Sequence, residues 1–155
     1  MDTSFDHLPR SRINKLRAGD IYDVTCPSRS VIQMLADKWT VLVIEALSAG
    51  PMRFGDLRRQ VGGVTQKMLT QTLRSLERDG LVLRVVYPSA PPSVEYSLTP
   101  LGVSITAITG HMCRWAEDNM KPVLLARLDY NARMAREELA PAGTTQVRSG
   151  RRQGA

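Results

Sequence analysis

The stretch GGVTQKMLTQTLRSLERDG, residues 62–80, decides the reading of this chain. The paired glycines Gly62-Gly63 break whatever precedes it. Thr65 then offers a side-chain oxygen where a helix needs one, because the first backbone N–H groups of a helix have no partner inside it. Gly80 closes the segment after Asp79. Apolar side chains recur at Leu69, Leu73 and Leu76, the three- and four-residue steps of one helix face. With about 100° of turn per residue and Gln66 at zero, these leucines fall between about 280° and 340°. Thr70, Arg74, Lys67 and Gln71 fall between about 40° and 140°, on the other side. The helix has an apolar back and a front of Gln, Thr, Lys and Arg.

Such a front suits the major groove of duplex DNA. Gln pairs bidentately with adenine, Arg and Lys pair with guanine, and Thr meets the thymine methyl. The N-terminal end of a recognition helix is the end that points into the groove. The candidate DNA-binding residues are therefore Thr65, Gln66, Lys67, Thr70, Gln71 and Arg74, together with Arg53 upstream. An ordinary solvated helix face would show the same amphipathicity, so the flanks must separate the two readings.

Upstream, a short helix is expected over Gly55–Val61, with Phe54, Leu57 and Val61 turned inward. Two short helices joined by a tight glycine turn are the mark of a helix-turn-helix. Downstream, Leu81–Tyr87 reads as a strand and Pro88-Ser89-Ala90-Pro91-Pro92-Ser93 as a turn. Val94–Leu98 reads as a second strand, with Val94, Tyr96 and Leu98 inward and Glu95 and Ser97 outward. A hairpin directly after a recognition helix is a wing. Between Arg53 and Arg84 seven basic residues face three acids, so this stretch carries most of the chain's net charge of +6. A basic surplus favours polyanionic partners.

Further out, order is expected from Cys26-Pro27, since proline fits the first helical position. Val31, Leu35 and Trp39 follow at four-residue steps. Trp39 to Leu47 is apolar almost all round, which marks a central buried helix, stopped at Gly50-Pro51. Beyond the wing, Thr99-Pro100 opens another helix. Leu101, Ile105, Ile108, Met112 and Trp115 line it at alternating steps of four and three. A break is expected at Pro122, after which Leu125, Leu128, Ala132, Ala135 and Leu139 resume the stripe. A seam of this kind fits a partner helix, so Leu101, Ile105, Ile108, Met112 and Trp115 are the candidate dimer interface. Packing onto their own domain is the alternative. The expected fold class is mainly α with a small β-hairpin wing: a winged helix-turn-helix with C-terminal dimerisation helices. Its parts are an N-terminal arm (1–25), the DNA-binding domain (26–99), the dimerisation helices (100–139) and a disordered tail (140–155).

Other classes are set aside on composition and motif. A folded chain of 155 residues buries roughly 68–70% of its unfolded surface and needs no metal or disulfide to hold a core. No apolar run approaches the roughly 18–20 residues that span a bilayer. The start, with Asp2, Asp6 and His7, has no apolar signal-peptide core, so a cytoplasmic location and no membrane partner are expected. Two cysteines, Cys26 and Cys113, are too few for a disulfide framework. His111, Cys113 and Glu117 lie within two turns of one helix, but no closed metal site is expected from them. There is no phosphate-binding glycine loop, zinc-protease helix or serine elbow, so neither an enzyme nor a cofactor is expected.

Taken together, several stretches resemble the HxlR family of bacterial winged-helix regulators, relatives of the MarR type. They are Cys26-Pro27, Asp37-Lys38-Trp39-Thr40, Gly50-Pro51-Met52-Arg53-Phe54, Met68-Leu69-Thr70-Gln71-Thr72-Leu73, Leu76-Glu77-Arg78-Asp79-Gly80-Leu81 and Val94-Glu95-Tyr96-Ser97-Leu98-Thr99. They cover Cys26 to Met120. The resemblance implies a homodimer on double-stranded DNA, with residues 65–79 in the major groove and the hairpin 82–98 near the minor groove. Two-fold symmetry then calls for an inverted-repeat operator. Family members commonly carry a basic residue directly before the Val-Glu-Tyr strand, where this chain has Ser93. Some sense electrophiles or oxidants through a cysteine near the first helix, the position of Cys26, which makes Cys26 the candidate redox sensor. A thiol at a helix N-terminus sits in positive potential, which favours the thiolate. Cys113 is expected to fill core space. A small-molecule effector between the DNA-binding domain and the dimer helices is a further expectation. The rival class is a winged-helix protein-interaction module that does not bind DNA, and the Arg/Lys/Gln face argues against it.

Overall fold

The computed structural model describes residues 21–139. They form α1 (Ser28–Leu35), α2 (Lys38–Ser48), β1 (Met52–Arg53), α3 (Phe54–Val61), α4 (Gln66–Arg78), β2 (Val82–Tyr87), β3 (Ser93–Leu98) and α5 (Pro100–Leu139). The architecture is the expected one, mostly helical with a small antiparallel sheet. Apart from residues 21–25, the expected arm lies outside the described residues, as does the expected tail.

The centre is α2, which buries Val43, Ile44, Ala46 and Leu47. Asp37 starts it: its carboxylate accepts the Thr40 N–H at 2.9 Å. That cap separates α1 from α2, so the four-residue step from Leu35 to Trp39 crosses a break. Leu35 and Trp39 still pack against the core, whereas Val31 stays 52% exposed. From α3 comes Leu57, fully buried, with Phe54 and Val61 packed beside it. Gly62 and Gly63 then turn the chain with φ of 60° and 66°, values that side chains other than glycine resist. After the turn Val64 returns to the core and α4 lays Leu69, Leu73 and Leu76 against it.

The sheet has three strands in the order β1-β3-β2, all antiparallel. The sequence reading expected the hairpin alone. Met52 and Arg53 pair with Tyr96 and Glu95 and close the other edge of β3. A two-residue strand carries no alternation that a sequence could display; it exists because β3 offers unpaired backbone groups beside it. Opposite residues share a sheet face. Met52, Tyr96 and Arg84 therefore stand on one face, and Arg53, Glu95 and Val85 on the other.

The start of α5 is tied to the end of α4. The Thr99 hydroxyl donates to the Gly80 carbonyl at 2.6 Å and accepts the Gly102 N–H at 3.0 Å, which caps α5. The Thr99 N–H donates to the Leu81 carbonyl at 3.0 Å. Further along, fully buried Thr109 donates its hydroxyl proton to the Glu45 carboxylate of α2 at 2.5 Å. The expected break at Pro122 does not occur: α5 is continuous from Pro100 to Leu139 with Pro122 inside it. A proline forfeits one backbone hydrogen bond and crowds one carbonyl, at a cost of about 3 kcal/mol. Propagation on both sides supplies a bond per residue, so a long helix survives it. Two compact units divide after His111.

Gly102 is buried, and a Cβ there would lie far inside van der Waals contact with the Leu81 carbonyl oxygen, which is backbone. Gly102→Ala is expected to lower stability by about 1–3 kcal/mol through overpacking. Urea denaturation checks this; an unchanged midpoint would contradict the tight approach.

Candidate nucleic-acid interface

The front of α4 begins at its cap. Thr65 accepts the Met68 N–H at 3.1 Å, so its oxygen holds the helix start while its hydroxyl hydrogen stays available. Beyond it, Gln66, Lys67, Thr70, Gln71 and Arg74 come together on one outward surface. The Thr70 hydroxyl donates to the Gln66 carbonyl at 2.8 Å. That bond occupies its hydrogen and leaves its methyl as the group to present outward. Five of the seven predicted residues are thus brought together and Thr65 serves as their cap. Arg53 is elsewhere: it stands on β1 opposite Glu95, on the sheet face away from Tyr96.

One residue at this interface escaped the sequence reading. A groove of about 520 Å³ runs between α4 and the sheet, lined by Gln66, Thr70, Arg74, Glu77, Arg84 and Tyr96 among others. Arg84 belongs to the wing strand β2. The signal that could have found it is its alternation with Val82 and Val86, which puts it on the face of Tyr96.

The charges are sorted as well as placed. Of the seven basic residues from Arg53 to Arg84, Arg59 is paired with Asp56 one turn earlier and Arg78 with the neighbouring Asp79. Arg53, Arg58, Lys67, Arg74 and Arg84 make no ion pair among the described residues. The surplus that can meet an external anion therefore includes both cations of the α4 front. The wing tip, residues 88–93, is neutral throughout.

Cys26 is half-buried and lies one residue outside the helix cap. The N-cap is Pro27, with no side-chain cap bond. The first N–H groups are taken by backbone: Arg29 donates to the Cys26 carbonyl and Ser30 to the Pro27 carbonyl, both at 3.1 Å. Cys26 therefore precedes the cap of α1 and does not itself serve as it. Preceding it, the Thr25 backbone N–H and then its hydroxyl hold the Asp23 carboxyl below the usual carboxylate range.

Among the predicted interface residues, Leu101 and Ile108 are about half exposed and Ile105 packs against the core. Met112 and Trp115, in the second unit, are also exposed. A second cavity, about 530 Å³, lies between α1, the end of α4 and the start of α5, with Val31, Met34, Leu35, Leu81, Leu101 and Ile105 in its wall. No described helix is long and apolar enough to cross a membrane.

Comparison with known proteins places this geometry. Residues 34–123 match the HxlR-like helix-turn-helix family model. The chain is 45% identical over 113 residues to the HTH-type transcriptional regulator YtfH of Escherichia coli, covering 73% of this chain and 90% of that one. The solved structure of the ytfH regulator of Salmonella typhimurium is 47% identical, with a TM-score of 0.66 over 70% of this chain and 97% of that one. The structure of the redox regulator HypR in its oxidized form is 40% identical, with a TM-score of 0.57 over 61% of this chain and 97% of that one.

The cap generates a direct expectation. Thr65→Ala should cost about 1 kcal/mol, the usual worth of an N-cap oxygen. Thr65→Ser should retain most of it. Denaturant midpoints of the two variants check this, and equal midpoints for Ala and Ser would show that Thr65 does not act as a cap.

Proposed function

The chain belongs to the HxlR-like helix-turn-helix family of transcriptional regulators, and from that premise we propose that it acts as a homodimer on an inverted-repeat operator. In this reading residues 26–99 bind DNA and residues 100–139 pair the two copies. Gln66, Lys67, Thr70 and Gln71 read base edges, and Arg74 binds the DNA beside them. The observation that carries the reading is the polar front of α4, whose five side chains converge on one outward surface with Lys67 and Arg74 free of ion pairs among the described residues. The exposed Leu101 and Ile108 support the pairing role of α5. Two recognition helices on a two-fold axis would meet half-sites one turn apart, about 34–36 Å, or a multiple of that spacing.

Selection from a random duplex pool by the purified protein tests this. Inverted repeats should be recovered. Lys67→Ala and Arg74→Ala should weaken binding to the recovered DNA while changing stability by no more than about 0.5 kcal/mol, as exposed substitutions do. A base-reading side chain should cost about 1–3 kcal/mol and relax preference at one position. Wild-type affinity in both variants would sink the assignment of α4.

For the effector we propose an oxidant acting at Cys26. The support is the likeness to HypR, a protein whose structures are described as a redox regulator in oxidized and in reduced form. Cys26 lies just outside the Pro27 cap of α1, whose residues Met34 and Leu35 pack against the core, so an adduct there loads the helix that abuts α2. Cys26 should label faster than Cys113 at neutral pH, and mild oxidant should release the DNA. Release that is equal in Cys26→Ser protein would remove Cys26 from the mechanism. The cavity beside α1 supports a second reading, a small apolar effector, which the same experiment favours if oxidant leaves binding intact.

A further inference from the structure

Among residues 82–98 the wing carries one cation, Arg84, and one acid, Glu95. Arg84 is exposed and stands directly opposite Tyr96, on the sheet face that looks onto α4. It lines the groove between α4 and the sheet with Gln66, Thr70, Arg74 and Glu77. Neither Arg84 nor Arg74 has an ion pair among the described residues. The groove therefore holds two available guanidinium groups against one carboxylate.

The form of duplex DNA says what such a groove meets. A major groove and its neighbouring minor groove are separated by one sugar–phosphate strand. A helix seated in the first, with a hairpin beside it over the second, has that strand passing between them. On the DNA-binding reading above, on which this inference rests, the strand crosses the α4–sheet groove. We propose that this groove takes one backbone phosphate, held by Arg84 with Arg74 at its outer edge, so that the wing is anchored to DNA at its root and not at its tip.

Guanidinium is suited to the task, since its planar fork meets two phosphate oxygens at once. Glu77, one turn beyond Arg74, also lines the groove, so an anion there meets two guanidinium groups and a single carboxylate. A base-reading role fits Arg84 poorly: Lys67 and Gln71 line the outward surface, whereas Arg84 is set back in the groove. A purely structural role fits it no better, because the side chain is exposed and unpaired. The neutral tip is consistent with this arrangement. With a cation at the root, the wing has an electrostatic attachment that Ser93 does not have to supply.

The test uses duplex DNA recovered from a random pool by the wild-type protein, and an unrelated duplex of equal length. Affinity is measured against salt for wild type, Arg84→Ala and Arg84→Lys. Arg84→Ala should make the salt dependence shallower by about one per half-site, as loss of one phosphate contact does. It should weaken both duplexes by the same factor and leave the melting temperature unchanged. Arg84→Lys should keep the wild-type slope. Single phosphates are then replaced by neutral methylphosphonates. At one position per half-site the replacement should weaken wild type but not Arg84→Ala. An unchanged slope in Arg84→Ala, or a loss confined to one base pair, overturns the proposal. If Arg84→Ala matches wild type while Lys67→Ala and Arg74→Ala lose binding, this inference alone falls. If none of the three changes binding, the DNA-binding reading falls with it.

Discussion

Leu69, Leu73 and Leu76 are buried to 1% exposure or less, and the whole front of α4 depends on their being so. A helix of 13 residues is marginal in water on propensity alone. Its polar front contributes nothing to the core, because each of those side chains must stay solvated until DNA arrives. Burial of a leucine is worth about 1.5–3 kcal/mol, so three on one back are enough to tip a helix that is marginal by itself. They pack into the same cluster as Ile44 of α2 and Leu57 of α3. The direction in which Lys67 and Arg74 point is therefore set by apolar contacts on the other side of the helix.

The second constraint is the junction of α4, the sheet and α5. Thr99 bonds the carbonyls of Gly80 and Leu81 and caps α5 through Gly102. Gly102 allows the helix to approach the Leu81 backbone more closely than any side chain would. The first turns of α5 are thus fixed to the end of α4 by backbone contact rather than by long side chains. Thr109 adds a buried bond to Glu45 of the central helix. In a dimer that pairs through α5, such a rigid junction would keep the two recognition helices at a fixed spacing, and an effector would have to strain it to change DNA affinity.

What the sequence displayed, and what it did not, follows from the range of each interaction. The back and front of α4, the Thr65 cap, the glycine turn and the hairpin are local or periodic, so they could be read directly. The α5 cap at Thr99 was equally local. β1 was not legible because Met52 and Arg53 become a strand only beside β3. The two helices α1 and α2 were both legible, but the break between them was not placed, because apolar steps of four cross it, although Asp37 has the chemistry of a cap. Pro122 misled for the opposite reason: its local cost is real, but propagation on both sides outweighs it. Thr109 and Gly110 are buried, yet small or polar residues give no hydropathy signal. At the site, the α4 front was legible, whereas Arg84 was not, since its value lies in which face of β2 looks onto α4.

The distribution of charge completes the picture. Asp56 and Asp79 engage the two arginines nearest to them, Arg59 and Arg78. Had the seven cations from Arg53 to Arg84 all been unpaired, the surface would bind any duplex strongly, because phosphate contacts carry no sequence information. Specificity is the ratio between operator and bulk DNA, and non-specific affinity is almost wholly electrostatic. A neutral wing tip and two internally neutralised arginines lower that background. Gln66, Thr70 and Gln71 add no charge at all, so in the proposed reading what they contribute depends on the bases in front of them. The same net charge arranged without these pairings would give a stickier and less selective protein. On the proposed reading, selectivity is therefore a matter of which cations are left free, and α4 keeps Lys67 and Arg74 free of ion pairs beside the uncharged Gln66, Thr70 and Gln71.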